Sequence, residues 1–160
     1  MNILLIYATN SGSTAEAANI IADVLTGKGH AVSVKNATTV TPEDVLAAPF
    51  FILGSPSWNH DDLEGQPLPE MEEFIARCKD IKLNGKPCAV FGLGDSSYTY
   101  FCGAVTYLEA FIKRAKGTLI VPSLKVDGFY MKPGASENIT KWAKEVAEKM
   151  DPRLRGDDNL

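Results

Sequence analysis

The chain offers little to a catalytic or metal-dependent reading. It has two histidines, His30 and His60, and three cysteines, Cys78, Cys88 and Cys102. An odd set of thiols without metal-type spacing favours free cysteines in a reducing compartment over a zinc site or a disulfide framework. No apolar run approaches the roughly 20 residues that span a bilayer, so no membrane association is expected. The first residues enter an apolar segment directly, with neither a basic region nor a small-residue cleavage site. Secretion is therefore not expected, and the cytoplasm is the expected compartment. Net charge is -4, and no basic patch is interleaved with aromatics, so nucleic acid is not an expected partner. Repeats and low-complexity linkers are missing too. What is present is an ordinary composition, 45% hydrophobic and 22% charged, in 160 residues that suit one domain.

Two hydrophobic periods alternate along the chain. Ile3-Leu4-Leu5-Ile6, Phe50-Phe51-Ile52-Leu53 and Cys88-Ala89-Val90-Phe91 are continuous apolar runs, as in central parallel strands buried on both faces. Val32 and Val34 alternate with polar neighbours, so the second strand reads as a sheet edge. Leu119-Ile120-Val121 reads as the fifth strand, stopped by Pro122. Between them, apolar residues recur at helical spacing: Ala18, Ile21, Val24 and Leu25, then Met71, Phe74, Ile75 and Cys78. Val105, Leu108, Phe111, Ile112 and Ala115 mark a third helix face. Ile139, Trp142, Ala143, Val146, Ala147 and Met150 mark a fourth, with Ser136 as its cap. Gly27 and Gly29 end the first helix. Thr41-Pro42-Glu43-Asp44 starts a short one, and residues 54–67 read as a long loop.

Alternation of this kind implies an α/β fold, a five-stranded parallel sheet with helices on both faces. With the half-polar second strand at the edge, right-handed crossovers give the order 2-1-3-4-5. Residues 1–150 form the expected single domain; residues 151–160 are polar, contain Pro152, and are expected to be a mobile tail. The order reverses between strands one and three, and ligands bind at such a crevice, beyond the carboxyl ends of the strands.

Three loops meet there. Thr9-Asn10-Ser11-Gly12-Ser13-Thr14 places hydroxyls, an amide and a glycine at a helix amino terminus, where free N–H groups and the helix dipole attract an anion. It is no P-loop, lacking the Gly-Lys-Ser/Thr ending, and no dinucleotide fingerprint, having one glycine where three are needed. A solvated strand-to-helix turn with a serine cap is the plainer alternative. Trp58, among Ser55, Pro56, Ser57, Asn59 and His60, follows a central strand; it reads as a lid on the core or as a platform for a flat ligand. Gly92-Leu93-Gly94-Asp95-Ser96-Ser97-Tyr98-Thr99-Tyr100-Phe101-Cys102-Gly103-Ala104 is rich in aromatics and poor in charge. That suits a flat aromatic ligand gripped by backbone groups, with Tyr98 able to stack opposite Trp58.

Asp61, Asp62, Glu64, Glu70, Glu72 and Glu73 cluster with no lysine or arginine between residues 59 and 76. They read as a solvated face, or as a negative rim that steers basic partners and opposes electron uptake by a redox ligand. A unit charge about 6 Å away at an effective dielectric near 20 costs about 3 kcal/mol, on the order of 0.1 V per electron. Two motif matches fail. Gly94-Asp95-Ser96 begins like a GDS-type esterase motif, but both histidines lie upstream. A phosphoacceptor receiver domain needs an aspartate where Gly54-Ser55 stands.

Taken together, the loops resemble the flavodoxin family, the same family that exemplifies the crevice rule for this strand order. Residues 9–14 resemble its Thr/Ser-x-Thr/Ser-Gly-x-Thr phosphate loop. Residues 94–104 resemble the short-chain flavodoxin loop, and Trp58 matches the inner stacking aromatic. Leu124-Lys125-Val126-Asp127-Gly128 also resembles the short-chain form. The resemblance runs from residue 2 to about 150. It implies a flavodoxin-like three-layer α/β/α sandwich with noncovalent FMN as cofactor. The implied phosphate ligands are Thr9, Asn10, Ser11, Gly12, Ser13 and Thr14. Trp58 and Tyr98 would flank the isoalloxazine, and Asp95, Tyr100 and Cys102 would satisfy its pyrimidine edge through backbone groups. Pro56, Ser57, Asn59, Leu93, Gly94 and Phe101 complete the implied cofactor site.

The implied function is low-potential one-electron transfer between redox enzymes, with no catalytic acid or base and no metal. Implied partners are reductases and oxidoreductases with basic docking surfaces, and the chain is expected to be a monomer. One departure stands out: Asn59, not glycine, follows Trp58. Asparagine tolerates positive φ less well than glycine, so a peptide flip that favours the flavin semiquinone is expected to be weaker. Two alternatives stay open, an FMN-dependent NAD(P)H-quinone reductase of related fold and a flavin-free interaction module.

Overall fold

The computed structural model describes residues 1–9, 12–60, 63–94, 102–129 and 134–150. The strands are β1 (Asn2–Tyr7), β2 (Ala31–Asn36), β3 (Phe50–Pro56), β4 (Trp58–His60), β5 (Leu63–Gln66), β6 (Pro87–Gly94), β7 (Thr118–Leu119) and β8 (Leu124–Asp127). The helices are α1 (Ser13–Gly27), α2 (Pro42–Ala47), α3 (Pro69–Arg77), α4 (Gly103–Arg114) and α5 (Ala135–Met150). The main sheet is parallel, in the order β2-β1-β3-β6-β7, with β8 also beside β6. This is the expected 2-1-3-4-5 order, its fifth position shared by two short segments.

The continuous apolar runs are explained by helices on both faces. Successive strand residues point to opposite sides. Leu4, Ile6, Phe51, Leu53 and Val90 pack on one side with Met71 and Phe74 of α3 and Leu108 and Phe111 of α4. Ile3, Leu5, Phe50, Ile52, Ala89 and Phe91 pack on the other with Ala18, Ile21 and Leu25 of α1 and Ile139, Trp142 and Val146 of α5. Phe50 and Phe51 are both fully buried although adjacent in sequence. Each such side chain gains about 1.5 to 3 kcal/mol from leaving water. No residue of β2 is fully buried, as an edge strand requires.

Helix starts follow local chemistry. Thr41 caps α2 in a reciprocal box: Asp44 N–H donates to Thr41 Oγ1 at 3.2 Å, and Thr41 N–H donates to Asp44 Oδ2 at 2.9 Å. These bonds hold the Asp44 carboxyl below its usual range. The start of α5 differs from expectation. Asn138 N–H donates to the Gly134 carbonyl at 2.9 Å, so the helix begins one residue before Ser136, which sits in its first turn.

The fifth strand is also a correction. It does not run over Leu119-Ile120-Val121. Thr118–Leu119 pairs with β6, and Ile120 N–H still donates to Cys88 O at 3.1 Å. The chain then leaves the ladder at Pro122, which has no N–H to donate, and rejoins β6 at Leu124. The gap is braced from both helix layers. Trp142 Nε1–H donates to Pro122 O at 2.9 Å, and Ser123 Oγ–H donates to Glu109 Oε2 at 2.7 Å. Much of the expected loop over residues 54–67 is likewise strand among the described residues. Strand β3 continues to Pro56, and β4 and β5 pair as an antiparallel hairpin, with Trp58 opposite Gln66.

Candidate functional site

Strand β1 ends at Tyr7 opposite Gly54, β3 ends at Pro56 opposite Leu93, and β6 ends at Gly94 opposite Asp127. Their following segments therefore emerge at one sheet edge. Main-chain bonds extend the ladder there: Ala8 N–H to Gly54 O at 3.0 Å, Ser57 N–H to Leu93 O at 2.9 Å, and Gly128 N–H to Gly94 O at 2.8 Å. His30 lies at the opposite, amino edge, within 3.4 Å of the terminal amine, and partial burial lowers its pKa.

Beyond β1 the chain enters α1 through glycine. Gly12 adopts φ 91, a left-handed conformation that penalises any side chain, and forms the amino end of α1 without a side-chain cap. Its N–H donates to Thr9 Oγ1 at 2.9 Å, tying the helix start to the end of the first strand. Thr9 N–H donates to Glu70 Oε1 at 2.8 Å. The serine-cap alternative is not what forms, because glycine holds that position. Thr14 is fully buried, yet its Oγ1 has no hydrogen-bond partner among the described residues. Such a hydroxyl costs about 1 to 3 kcal/mol if left unpaired. An acceptor arriving at the helix amino terminus would relieve that cost, and a phosphate fits this donor set.

Trp58 stands at the start of the hairpin with 37% of its surface exposed, which is unusual for so large an apolar group. The hairpin is fixed to α4 by two contacts. Ser57 Oγ accepts Ala104 N–H at 2.9 Å, satisfying an amide at the helix start. Gly65 lies so close to Gly103 that a Cβ there would meet Gly65 O at 2.5 Å. The base of the hairpin is tied to α3, since Leu68 N–H donates to the buried Ser55 Oγ at 3.3 Å.

Gly94 at the end of β6 and Cys102 at the start of α4 lie side by side. A Cβ on Gly94 would lie 3.0 Å from both the nitrogen and the sulfur of Cys102, so a side chain there would require Cys102 to give by a few tenths of an ångström. Cys102 adopts φ 50 at the start of α4. Its buried Sγ faces the carbonyls of Gly92 and Val126, each at 3.8 Å. Burial pushes the thiol up to about 12, so it carries no nucleophilic chemistry at neutral pH. Leu93 sends its side chain into the core and leaves only main-chain groups at the edge.

Of the expected site residues, the structure thus brings Thr9, Gly12, Ser13, Thr14, Pro56, Ser57, Trp58, Asn59, Gly94 and Cys102 to one edge, with Leu93 present through its backbone. Asn10, Ser11, Asp95, Tyr98, Tyr100 and Phe101 lie outside the described residues, as do Asp61, Asp62 and the tail. Glu70 was legible only as one acid in a cluster. Its bond to Thr9 depends on a contact 61 residues apart that no local pattern encodes.

Comparison with known proteins agrees with this geometry. The family model described as flavodoxin matches residues 5–151. A flavodoxin of Maridesulfovibrio salexigens is 34% identical over 151 residues, covering 92% of this chain and 97% of that protein. A probable flavodoxin 2 of Bacillus subtilis is 37% identical over 131 residues, covering 78% and 81%. Among solved structures, oxidised flavodoxin 2 from Bacillus cereus aligns with a TM-score of 0.84 at 33% identity, covering 93% of this chain and 99% of that one.

Proposed function

The chain belongs to the flavodoxin family, and from that premise we propose that it is a low-potential carrier moving single electrons between redox enzymes on noncovalent FMN. The family consists of flavin-based electron-transfer proteins rather than classical enzymes, and FMN is its cofactor. The observation that carries the reading is the buried Thr14 hydroxyl near the amino end of α1, which has no hydrogen-bond partner among the described residues, close to the bond between Gly12 and Thr9. The hydroxyls of Thr14 and Thr9 can donate to a phosphate at this helix start without lysine or arginine.

In this reading residues 9–14 hold the phosphate, Trp58 covers one face of the ring system, and Tyr98 covers the other. Main-chain groups of Asp95, Tyr100 and Cys102 meet its polar edge, with Pro56, Ser57, Asn59, Leu93, Gly94 and Phe101 around them. When bound, FMN supplies the one-electron chemistry. The chain contributes binding, orientation and electrostatics. Trp58 keeps water from the ring face, and the acids of residues 61–73 make the rim electronegative, which lowers the potential. The same rim favours basic docking surfaces on partner reductases and oxidoreductases. We also assign the carrier a monomeric state and a cytoplasmic setting.

An anaerobic spectroelectrochemical titration of the purified protein tests this. The expected result is a yellow protein with one equivalent of FMN and two separable one-electron steps, the lower well below free FMN. A colourless protein that refuses added FMN would sink the proposal. Steady-state NAD(P)H oxidation with a quinone, without a separate reductase, would replace it with the quinone-reductase alternative.

A further inference from the structure

We propose that Glu70 is a positioning residue for the phosphate loop: its carboxylate fixes the first amide of residues 9–14 and so sets how well the loop grips a phosphate ester. The inference rests on reading that loop as the phosphate site. The geometry behind it is a ladder that runs out. Ala8 N–H still donates to the strand carbonyl of Gly54 at 3.0 Å. Thr9 N–H is the next donor in line, and it goes to Glu70 Oε1 at 2.8 Å instead of to a strand. The bond is part-buried, where it is stronger than in open water.

Glu70 reaches the loop from a rigid base. It sits in the first turn of α3, behind Pro69, and the preceding Leu68 N–H is held by the buried hydroxyl of Ser55. The positive end of the α3 dipole favours a carboxylate there. Farther along the helix, Arg77 spends its guanidinium on the carbonyls of Ala37 and Val40, two turns from Glu70. Thr9 in turn holds Gly12 N–H through Oγ1 at 2.9 Å, so the carboxylate, Thr9 and Gly12 form one chain of bonds ending at the start of α1.

The position has two opposed effects. A negative charge beside an anion site repels the anion. A strong acceptor on Thr9 N–H holds the loop in its binding shape and lowers the ordering cost of association. If charge dominated, removing it would tighten phosphate binding. We assign dominance to the hydrogen bond.

Apoprotein of the full chain, of Glu70→Gln and of Glu70→Ala is titrated with FMN and with riboflavin, which lacks the phosphate. Glu70→Ala is expected to cut the preference for FMN over riboflavin about tenfold while riboflavin affinity stays within about twofold. Glu70→Gln keeps a carbonyl acceptor and should retain the preference to within about threefold. An unchanged or increased preference in Glu70→Ala overturns the proposal, as does a loss in Glu70→Gln equal to that in Glu70→Ala. Hydrogen exchange at Thr9 N–H in the unmutated apoprotein reads the bond directly, so a variant that fails to fold does not end the test. Slow exchange supports the bond, and exchange at the rate of an open loop overturns it. A parent chain with no preference for FMN over riboflavin would instead refute the phosphate reading itself.

Discussion

Gly103→Ala adds one methyl group where the backbone of another element already lies. The new Cβ would sit 2.5 Å from the Gly65 carbonyl oxygen, 2.8 Å from Gly65 Cα and 3.0 Å from its carbonyl carbon. All three are main-chain atoms, so no side chain can swing aside. Two terms compete. Alanine is the better helix former by at most about 1 kcal/mol, and less at the first helical position. Overpacking costs about 1 to 3 kcal/mol. Restoring ordinary contact requires β5 to retreat by roughly 1 Å. That movement stretches the Ser57–Ala104 hydrogen bond, now 2.9 Å, whose loss adds about 0.5 to 1.5 kcal/mol. The steric term wins, and the net expectation is a loss of about 1 to 3 kcal/mol.

The hairpin that retreats carries Trp58, so in the proposed site the effect reaches the flavin. Urea unfolding of the apoprotein gives the stability term, and FMN titration by flavin fluorescence gives the binding term. Affinity is expected to fall about tenfold or more, because a platform displaced by roughly 1 Å no longer meets the ring face. Gly27→Ala is the internal control. Gly27 ends α1 with nothing within 4 Å of its would-be Cβ, so that change should be neutral or stabilising by up to about 1 kcal/mol. If Gly103→Ala matches Gly27→Ala in stability and the parent in FMN affinity, the hairpin is not wedged against α4 as described.

Thr14→Val should stabilise the apoprotein by about 1 kcal/mol, since it removes a buried unpaired hydroxyl, while weakening FMN binding in the same titration; parallel signs would refute the phosphate role. Burial pushes Cys78 up to about 11 and Cys88 and Cys102 up to about 12. Thiols with raised folded pKa values contribute fully below the unfolded pKa of about 8.5 and lose that contribution as pH climbs through the folded values. The melting temperature should therefore fall from about pH 9 upward, and native thiols should resist alkylation at pH 8 until the chain unfolds. Asn59→Gly should change the separation between the two one-electron potentials in a spectroelectrochemical titration; an unchanged separation would mean the residue after Trp58 does not govern it.

How far the molecule could be read in advance depended on whether the deciding contact was local. The runs at Ile3–Ile6, Phe50–Leu53 and Cys88–Phe91 gave parallel strands because burial on both faces leaves no polar positions. Val32 and Val34 marked the edge for the converse reason. The cap at Thr41 was visible because its partners lie within three residues. The interruption at Pro122 was signalled, yet the resumption at Leu124 was not, since it depends on Trp142 and Glu109 bracing the gap from other elements. The hairpin was missed because β4 and β5 are short and carry polar residues, so no period stood out. Ser57 lies at the expected sheet edge, and its hydroxyl holds the start of α4, a role no local pattern announced.

Three of the bonds that escaped the sequence share one form. Thr9 to Glu70, Ala104 to Ser57 and Leu68 to Ser55 each join a main-chain N–H at a loop or helix start to a side-chain oxygen from another element. Each satisfies a donor that secondary structure leaves over. Each also fixes one flank of the carboxyl edge relative to another. A flavin-based electron carrier tunes a bound ring through rigidity as well as charge, because a loop free to move would relax around each charge state and erase the difference between them. The ties around this edge therefore bear on potential as much as on stability. Substitutions there should shift reduction potentials even where no altered atom touches the flavin.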